Sequence, residues 1–480
     1  MDDNKKQNLR LVFQEGDLPG LHPHQNITHI RCVGVNKLLF ESLTRIDRNQ
    51  KTVLAGALSF DVSEDMTEYT FTLRDATWSN KELVTAYDYE NAWKNAVSPN
   101  SACVRADLFD IIENAKEIRS GEKIINDFGA KAIDDKTLKV KLIHSYPEFL
   151  ELVASSVFAP VRELNIFNGP FIVGEWNKEK SLILEKNPMY WDKEEVHLNT
   201  IEINFVKEIS TGFSLFKDQK IDWIGSPISF ILPEDVNKTD SRRKLSDFIL
   251  WAHINTKLSH LQSKNIRKSF SYAIDRKFIN ETILFGGDPI SFLPTSMAPF
   301  EQSFEYNLEK AKHYFEAGLQ ELQISHSDFP EIRLGYFNRP EMIALAKYLE
   351  KTLKDNLNIP IKLVENNWND FRKSQERGDF DIAVCYESSL FPGPFDLLQL
   401  IEEKQNWNKQ SYQKALQFAK SSKDNVQKTI FLKEALEALS EEMPVIALSN
   451  QNEVFSVNPH LQGYYFDSAN SVDFTRAYFV

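Results

Sequence analysis

Two hydrophobic periods alternate along all 480 residues, and no Gly/Ser tether separates them. Leu138, Val140 and Leu142 alternate with charge in LKVKLI, and the IEINFV segment from Ile201 does the same. A period of two predicts half-buried strands. Stripes at helical spacing lie between them. Thr85 precedes Ala86, Tyr89, Trp93 and Ala96, and Pro99 stops the run. Thr85 and Asp88 resemble a capping box, with Asp in place of the usual Glu. A second helix is predicted after Ser263, with Ile266, Phe270, Ile274 and Phe278 on one face and an end at Gly286-Gly287. A third starts at Asn307, carries Leu308, Ala311 and Phe315, and stops at Gly318. Met342, Leu345, Leu349 and Leu353 stripe a fourth. Strands and helices interspersed in this way give an α/β or α+β chain with more than one sheet. Without a linker, its domains are expected to share several crossing strands.

Composition narrows the function. Hydrophobic residues make up 42% and charged residues 26%, an ordinary globular balance. At roughly 150 residues per domain, the length predicts about three domains. The formal net charge of −13 argues against a general nucleic-acid binder and against adhesion to anionic lipid. No segment approaches the roughly 20 apolar residues of a membrane span. Met1-Asp2-Asp3-Asn4-Lys5-Lys6 leads into polar sequence with no apolar signal region. The chain is therefore expected to be either cytoplasmic or a mature form without its leader. Cys32, Cys103 and Cys385 cannot all pair with one another, and their spacing is no zinc pattern. There is no G-x-S-x-G elbow, H-E-x-x-H or P-loop, so no enzymatic activity and no cofactor are expected.

Three stretches carry a resemblance. The first is Tyr69-Thr70-Phe71-Thr72-Leu73-Arg74, then Trp78-Ser79 and Val84-Thr85-Ala86-Tyr87-Asp88-Tyr89, running to Trp93 and Pro99. The second is Asn168-Gly169-Pro170-Phe171 with Leu184-Glu185-Lys186-Asn187-Pro188-Met189-Tyr190-Trp191. The third is Ile254-Asn255-Thr256 with Ile266-Arg267-Lys268-Ser269-Phe270-Ser271-Tyr272-Ala273-Ile274-Asp275-Arg276. In this order they resemble the extracytoplasmic solute-binding proteins of peptide-type ABC importers, collinear from about Leu9 to Phe479.

The resemblance implies an α/β, periplasmic-binding-protein-like fold: two lobes in three domains with a hinged ligand cleft. The implied domains are a discontinuous one over 1–39, 161–247 and 451–480, an inserted one over 40–160, and a C-terminal lobe over 248–450. Trp78, Trp93 and Trp191 then read as core aromatics, and Arg74 and Asp275-Arg276 as ion pairs. The implied function is capture of oligopeptides, or a peptide-like ligand, and delivery to an ABC permease in the inner membrane. The protein would be a monomer that binds no nucleic acid, periplasmic or anchored outside the cytoplasm as a lipoprotein. Relatives of this type also bind metal complexes, haem, opines or saccharides. A cytosolic solute sensor of the same fold is the other alternative.

Ligand residues follow from the same resemblance. The ligand-lining strand aligns with Gln25–His29, so the backbone of Ile27, Thr28 and His29 is expected to contact ligand main chain. Trp368 keeps the place of a pocket-wall Trp, and Trp251 is a weaker candidate of the same kind. The clearest departure follows Phe380-Asp381-Ile382-Ala383, where a Trp-x-x-Asp pattern usually supplies the Asp that grips the peptide amine. Here Glu387 stands in place of the Trp and Leu390 in place of the Asp, with Tyr386 and Ser388 beside Glu387. Leucine cannot pair with an ammonium group. Glu387 or Asp396 therefore reaches the amine, or the ligand has no free amine there. The basic positions for short-peptide carboxylates align with Val384 and Met342, and Arg105 and Arg339 lie close enough to substitute. His22, His24 and His29 would suit nickel, copper or zinc, or are incidental loop histidines.

Overall fold

The computed structural model describes residues 7–480 apart from 15, 27–29, 164, 230–239, 303, 390–392, 405–406, 423 and 467–470. It divides into two compact units. The first runs to Lys244 and resumes at Glu453; the second comprises Leu245–Ser389 and Gly393–Asn452. The boundaries at 244/245 and 452/453 fall inside two strands, Arg242–Ile254 and Val445–Val457.

The first unit holds two four-stranded sheets. In one, Asn8–Gln14 runs parallel to Thr200–Val206, which continues antiparallel to Ser181–Lys186 and then Phe171–Asn177. The alternation of IEINFV buries Ile201, Ile203 and Phe205 on one face, with Leu9, Leu11 and Phe13 beside them. The other sheet is Ala57–Val62, Glu68–Leu73, Thr137–Lys141 and Ala130–Ala132, all antiparallel. Tyr69, Phe71, Leu138 and Val140 form its buried face, against the helix Ala86–Val97. That helix opens with the expected Thr85/Asp88 capping box. Trp78 and Trp93 are fully buried, their indole nitrogens donating to Asp88 Oδ2 and the Phe158 carbonyl. Trp191 differs: it is half-buried, with the Arg74 guanidinium 3.5 Å from its ring centre.

In the second unit, Phe248–Ile254 pairs antiparallel with Ile382–Ser388. Ile332–Phe337 lies parallel to Ile361–Asn366 and to Ile382–Ala383. Helices Lys264–Ala273, Leu308–Leu322, Pro340–Leu357 and Asn425–Glu442 contribute to its core. Met342, Leu345, Leu349 and Leu353 are all buried, as their spacing predicts.

Two helix boundaries and two arginines depart from expectation. The helix capped by Ser263 ends at Ala273, not at Gly286. Ile274 turns extended, and the Asp275 side chain accepts from Phe278 N to start a new turn, so Phe278 leaves the stripe and is exposed. The helix capped by Asn307 passes through Gly318 to Leu322. A Cβ at Gly318 would come within 2.6 Å of Ile266 Cδ1, so glycine here permits close helix approach and does not end the helix. Arg74 and Arg276 serve main-chain carbonyls more than carboxylates. Arg74 donates to the Ala55 and Ala57 carbonyls. Arg276, buried, donates to those of Ala447 and Ser271 and to the Ser271 hydroxyl. A guanidinium carries five donors in a fixed fork, so carbonyls satisfy it without an anion.

Among the described residues, no helix is long and apolar enough to cross a membrane.

Candidate ligand site

The second unit gathers several predicted residues along one sheet face. The antiparallel register places Ile249, Trp251 and His253 opposite Glu387, Cys385 and Ala383. The period of two puts these side chains on a common face. Above it lies the helix Trp368–Arg377, started by Asn367, whose side chain accepts from Asp370 N, and ended by Gly378 in the left-handed conformation (φ +75°). Trp368 opens this helix and is 38% exposed. Its ring meets Phe337 edge-on at 5.1 Å and stacks over Phe371 at 6.1 Å.

One turn on, the Arg372 guanidinium lies 5.5 Å from the Trp368 ring centre. Its Nη1 is 3.4 Å from Glu387 Oε1 and donates to Gln375 Oε1 at 3.0 Å. Glu387 Oε1 also takes the Cys385 thiol at 3.2 Å and lies 3.1 Å from His253 Nε2. Gln375 Nε2 approaches Cys385 Sγ at 3.5 Å. Glu387, His253 and Cys385 are all buried, and Arg372 is partly exposed. Burial opposes the Arg372 charge, but Glu387 and Cys385 outweigh it and hold its pKa above the ordinary arginine value. The Arg339 guanidinium lies 5.3 Å from the Phe337 ring centre.

Trp368, Arg339 and Glu387 thus come together in one unit, and sequence reasoning missed Arg372, His253 and Cys385. The signals were local: Arg372 is four residues after Trp368, and Cys385 is two before Glu387. Tyr386 and Ser388 are half-buried on the same strand, alternating with Glu387 and so directed to the other face. Trp251 departs from the pocket-wall expectation: it is fully buried, with its indole donating to the Phe292 carbonyl at 3.0 Å. Asp396 is buried as well. Val384 and Met342 are core residues, as their apolar chemistry demands. Arg105 belongs to the first unit, where it chelates Asp107 at 2.9 Å. Ile27, Thr28, His29 and Leu390 lie outside the described residues.

Two clusters bear on metal binding. His22 and His24 face each other with ring centres 5.1 Å apart. Burial lowers both pKa values, that of His24 to about 3 with His22 adding to the effect. His29 lies outside the described residues, so the expected trio is not described together. Among the described residues, His253, Cys385 and Glu387 have ligand atoms within 4.8 Å of one another. The Arg372 guanidinium already occupies the anionic side of that group, 3.4 Å from Glu387 Oε1 and 3.9 Å from Cys385 Sγ.

Mixed sheets in two compact units, with aromatic and charged groups gathered on one sheet face, are compatible with a solute-binding protein, and the similarity to known proteins gives the class. The chain belongs to the bacterial extracellular solute-binding proteins, family 5, whose model matches residues 51–409. It is 30% identical to the oligopeptide-binding protein OppA of Bacillus subtilis, over 93% of this chain and 88% of that one. It is 28% identical to the dipeptide-binding protein DppE of the same organism, over 94% and 88%. A crystal structure of Haemophilus influenzae OppA in complex with RPPGFSPFR matches the fold with a TM-score of 0.86 at 21% identity, covering 99% of both chains.

Proposed function

We propose that this chain captures oligopeptides, or a peptide-like ligand, for an ABC importer and hands them to a membrane permease unchanged. The observation that carries the reading is collinearity with an oligopeptide-binding protein over 93% of the chain. The peptide held by the Haemophilus influenzae relative supports it. The protein works outside the cytoplasm, periplasmic or lipid-anchored, as a monomer. Its first unit comprises the discontinuous domain and the inserted 40–160 domain; each sheet having its own core supports that division. Main-chain groups of Ile27, Thr28 and His29 contact the ligand backbone, and Trp368 with Arg339 walls a side-chain pocket.

Glu387 does not act as a free anchor for the ligand amine. One of its oxygens already receives Arg372 and Cys385, with His253 alongside. This favours a ligand whose amine is held elsewhere or is absent. The test is a thermal-shift screen of the purified chain against peptides with free and with acetylated N-termini. Both sets are expected to raise the melting point, by mass action at about 2.7 kcal/mol for a hundredfold excess over Kd. A screen in which no peptide stabilises the protein, while a metal complex, haem, opine or saccharide does, would replace the peptide reading with that ligand.

A further inference from the structure

The chain carries −13 overall, but its charge is unevenly placed. Residues 404–433 hold seven lysines, no arginine and a single carboxylate, Asp424. Two helices of the second unit, Gln410–Ser421 and Asn425–Glu442, span most of this stretch and pack together. Their buried residues are apolar, Tyr412, Leu416 and Ala419 on one and Leu432, Leu436 and Leu439 on the other.

The outer sides combine lysine with uncovered apolar groups. Lys414 and Phe418 are both exposed, one turn apart. Val426, Ile430 and Lys433 are exposed at a spacing that puts them on one helix face. Phe418, Val426 and Ile430 are 46%, 67% and 44% exposed. The Phe418 ring stacks on Phe431 at 5.2 Å, which ties the first row to the second helix.

Three carboxylates beside these rows are engaged. Glu402 accepts from Gln413 Nε2 at 2.9 Å, Asp424 caps the second helix by accepting from Val426 N at 2.7 Å, and Glu437 lies 3.9 Å from Lys433 Nζ. Glu434 is exposed just beyond the lysine-rich stretch. Lys414 forms no ion pair among the described residues. Lysine without arginine is the wrong composition for a protein interface, where arginine is enriched and lysine depleted. A layer of anionic headgroups asks only for charge, and apolar side chains set among the amines enter its acyl boundary. The acidic remainder of the chain does not cancel this attraction, because exposed charges more than about 8 Å apart are largely screened at physiological salt.

We propose that the outer side of this helical hairpin rests on an anionic lipid surface, with its lysines against headgroup phosphates and Phe418, Val426 and Ile430 at the acyl boundary. Local lysine density thus overrides the whole-chain charge, which by itself argues against such adhesion. The contact is separate from ligand capture and stands on the second unit alone.

The test is co-sedimentation of the full chain with vesicles of equal parts phosphatidylglycerol and phosphatidylcholine, and with vesicles of phosphatidylcholine alone. Attachment to the anionic vesicles is expected, and it should vanish at about 1 M salt, where the screening length falls to about 3 Å. Each lysine at an anionic surface strengthens attachment about fivefold, so Lys414→Gln/Lys433→Gln should weaken it about tenfold or more. Val426→Ser/Ile430→Ser should weaken it as well, through lost apolar insertion. All four positions are exposed, so the fold is not at stake. Equal attachment to both kinds of vesicle, attachment to neither, or attachment unchanged in the variants overturns the proposal. Retention on immobilised polyglutamate without attachment to anionic vesicles would overturn it too, and assign the surface to an acidic protein partner. The peptide screen tests ligand capture independently of all these outcomes.

Discussion

The Arg372 guanidinium stands 3.4 Å from the Glu387 carboxylate, on a sheet face where Glu387 is buried and Arg372 retains 28% of its side-chain exposure. The pair joins a helix to a strand. Its consequence is asymmetric: removing one partner leaves the other charge uncompensated, whereas removing both does not. Arg372→Met is expected to destabilise the protein by roughly 3 kcal/mol. The double variant Arg372→Met/Glu387→Gln should recover most of that loss. Denaturant unfolding of the four proteins in the cycle measures it. A double variant as unstable as the sum of the singles would show that the two residues act independently.

Ligand discrimination follows from the same contact. With Glu387 engaged by Arg372, acetylating a peptide N-terminus should change its Kd by less than about tenfold, under the 1.4 kcal/mol that a decade represents. On the proposed role of the half-exposed Trp368 as a pocket wall, Trp368→Ala should weaken peptides with large side chains more than peptides with small ones. Calorimetry on matched peptide pairs decides both points. A loss of a hundredfold on acetylation would restore a carboxylate as the amine anchor.

His24 makes stability pH-dependent. Burial, helped by His22, lowers its folded pKa to about 3, below the ordinary value of about 6.5. Above pH 6.5 both folded and unfolded states hold it neutral, and it contributes no slope. Below that the unfolded chain binds the extra proton, so stability falls as pH drops, by up to about 1.4 kcal/mol per pH unit until pH approaches 3. Unfolding free energies at pH 7 and pH 5 should therefore differ, and His24→Gln should flatten the difference. An identical slope in His24→Gln would assign the acid sensitivity to other groups.

Gly318 offers a packing test. In an isolated helix Gly→Ala is favourable by about 1 kcal/mol. Here the new methyl would press on Ile266, at 2.6 Å from its Cδ1 and 3.0 Å from its main-chain nitrogen. Overpacking costs about 1–3 kcal/mol. Gly318→Ala should thus be net destabilising by roughly 1 kcal/mol, read as a lower melting point. A higher melting point would mean that the two helices separate without penalty.

The sequence alone settled what depends on neighbours a few positions away. The Thr85/Asp88 capping box, the buried stripe from Met342 to Leu353, and the alternation in LKVKLI and IEINFV all follow from backbone period and local hydrogen bonding. The motif order was enough to reach the family, because it spans the chain. Tertiary structure decided whatever depends on a partner distant in sequence. Gly318 reads as a stop until Ile266 is packed against it, fifty-two positions earlier in the chain. Arg276 reads as half of an ion pair until the Ala447 carbonyl is brought to it. Glu387 reads as a free anchor until strand register and the helix Trp368–Arg377 set His253 and Arg372 beside it. Periodicity is a property of one segment, whereas the protonation, satisfaction and availability of a buried charge belong to whatever the fold carries within a few ångströms of it.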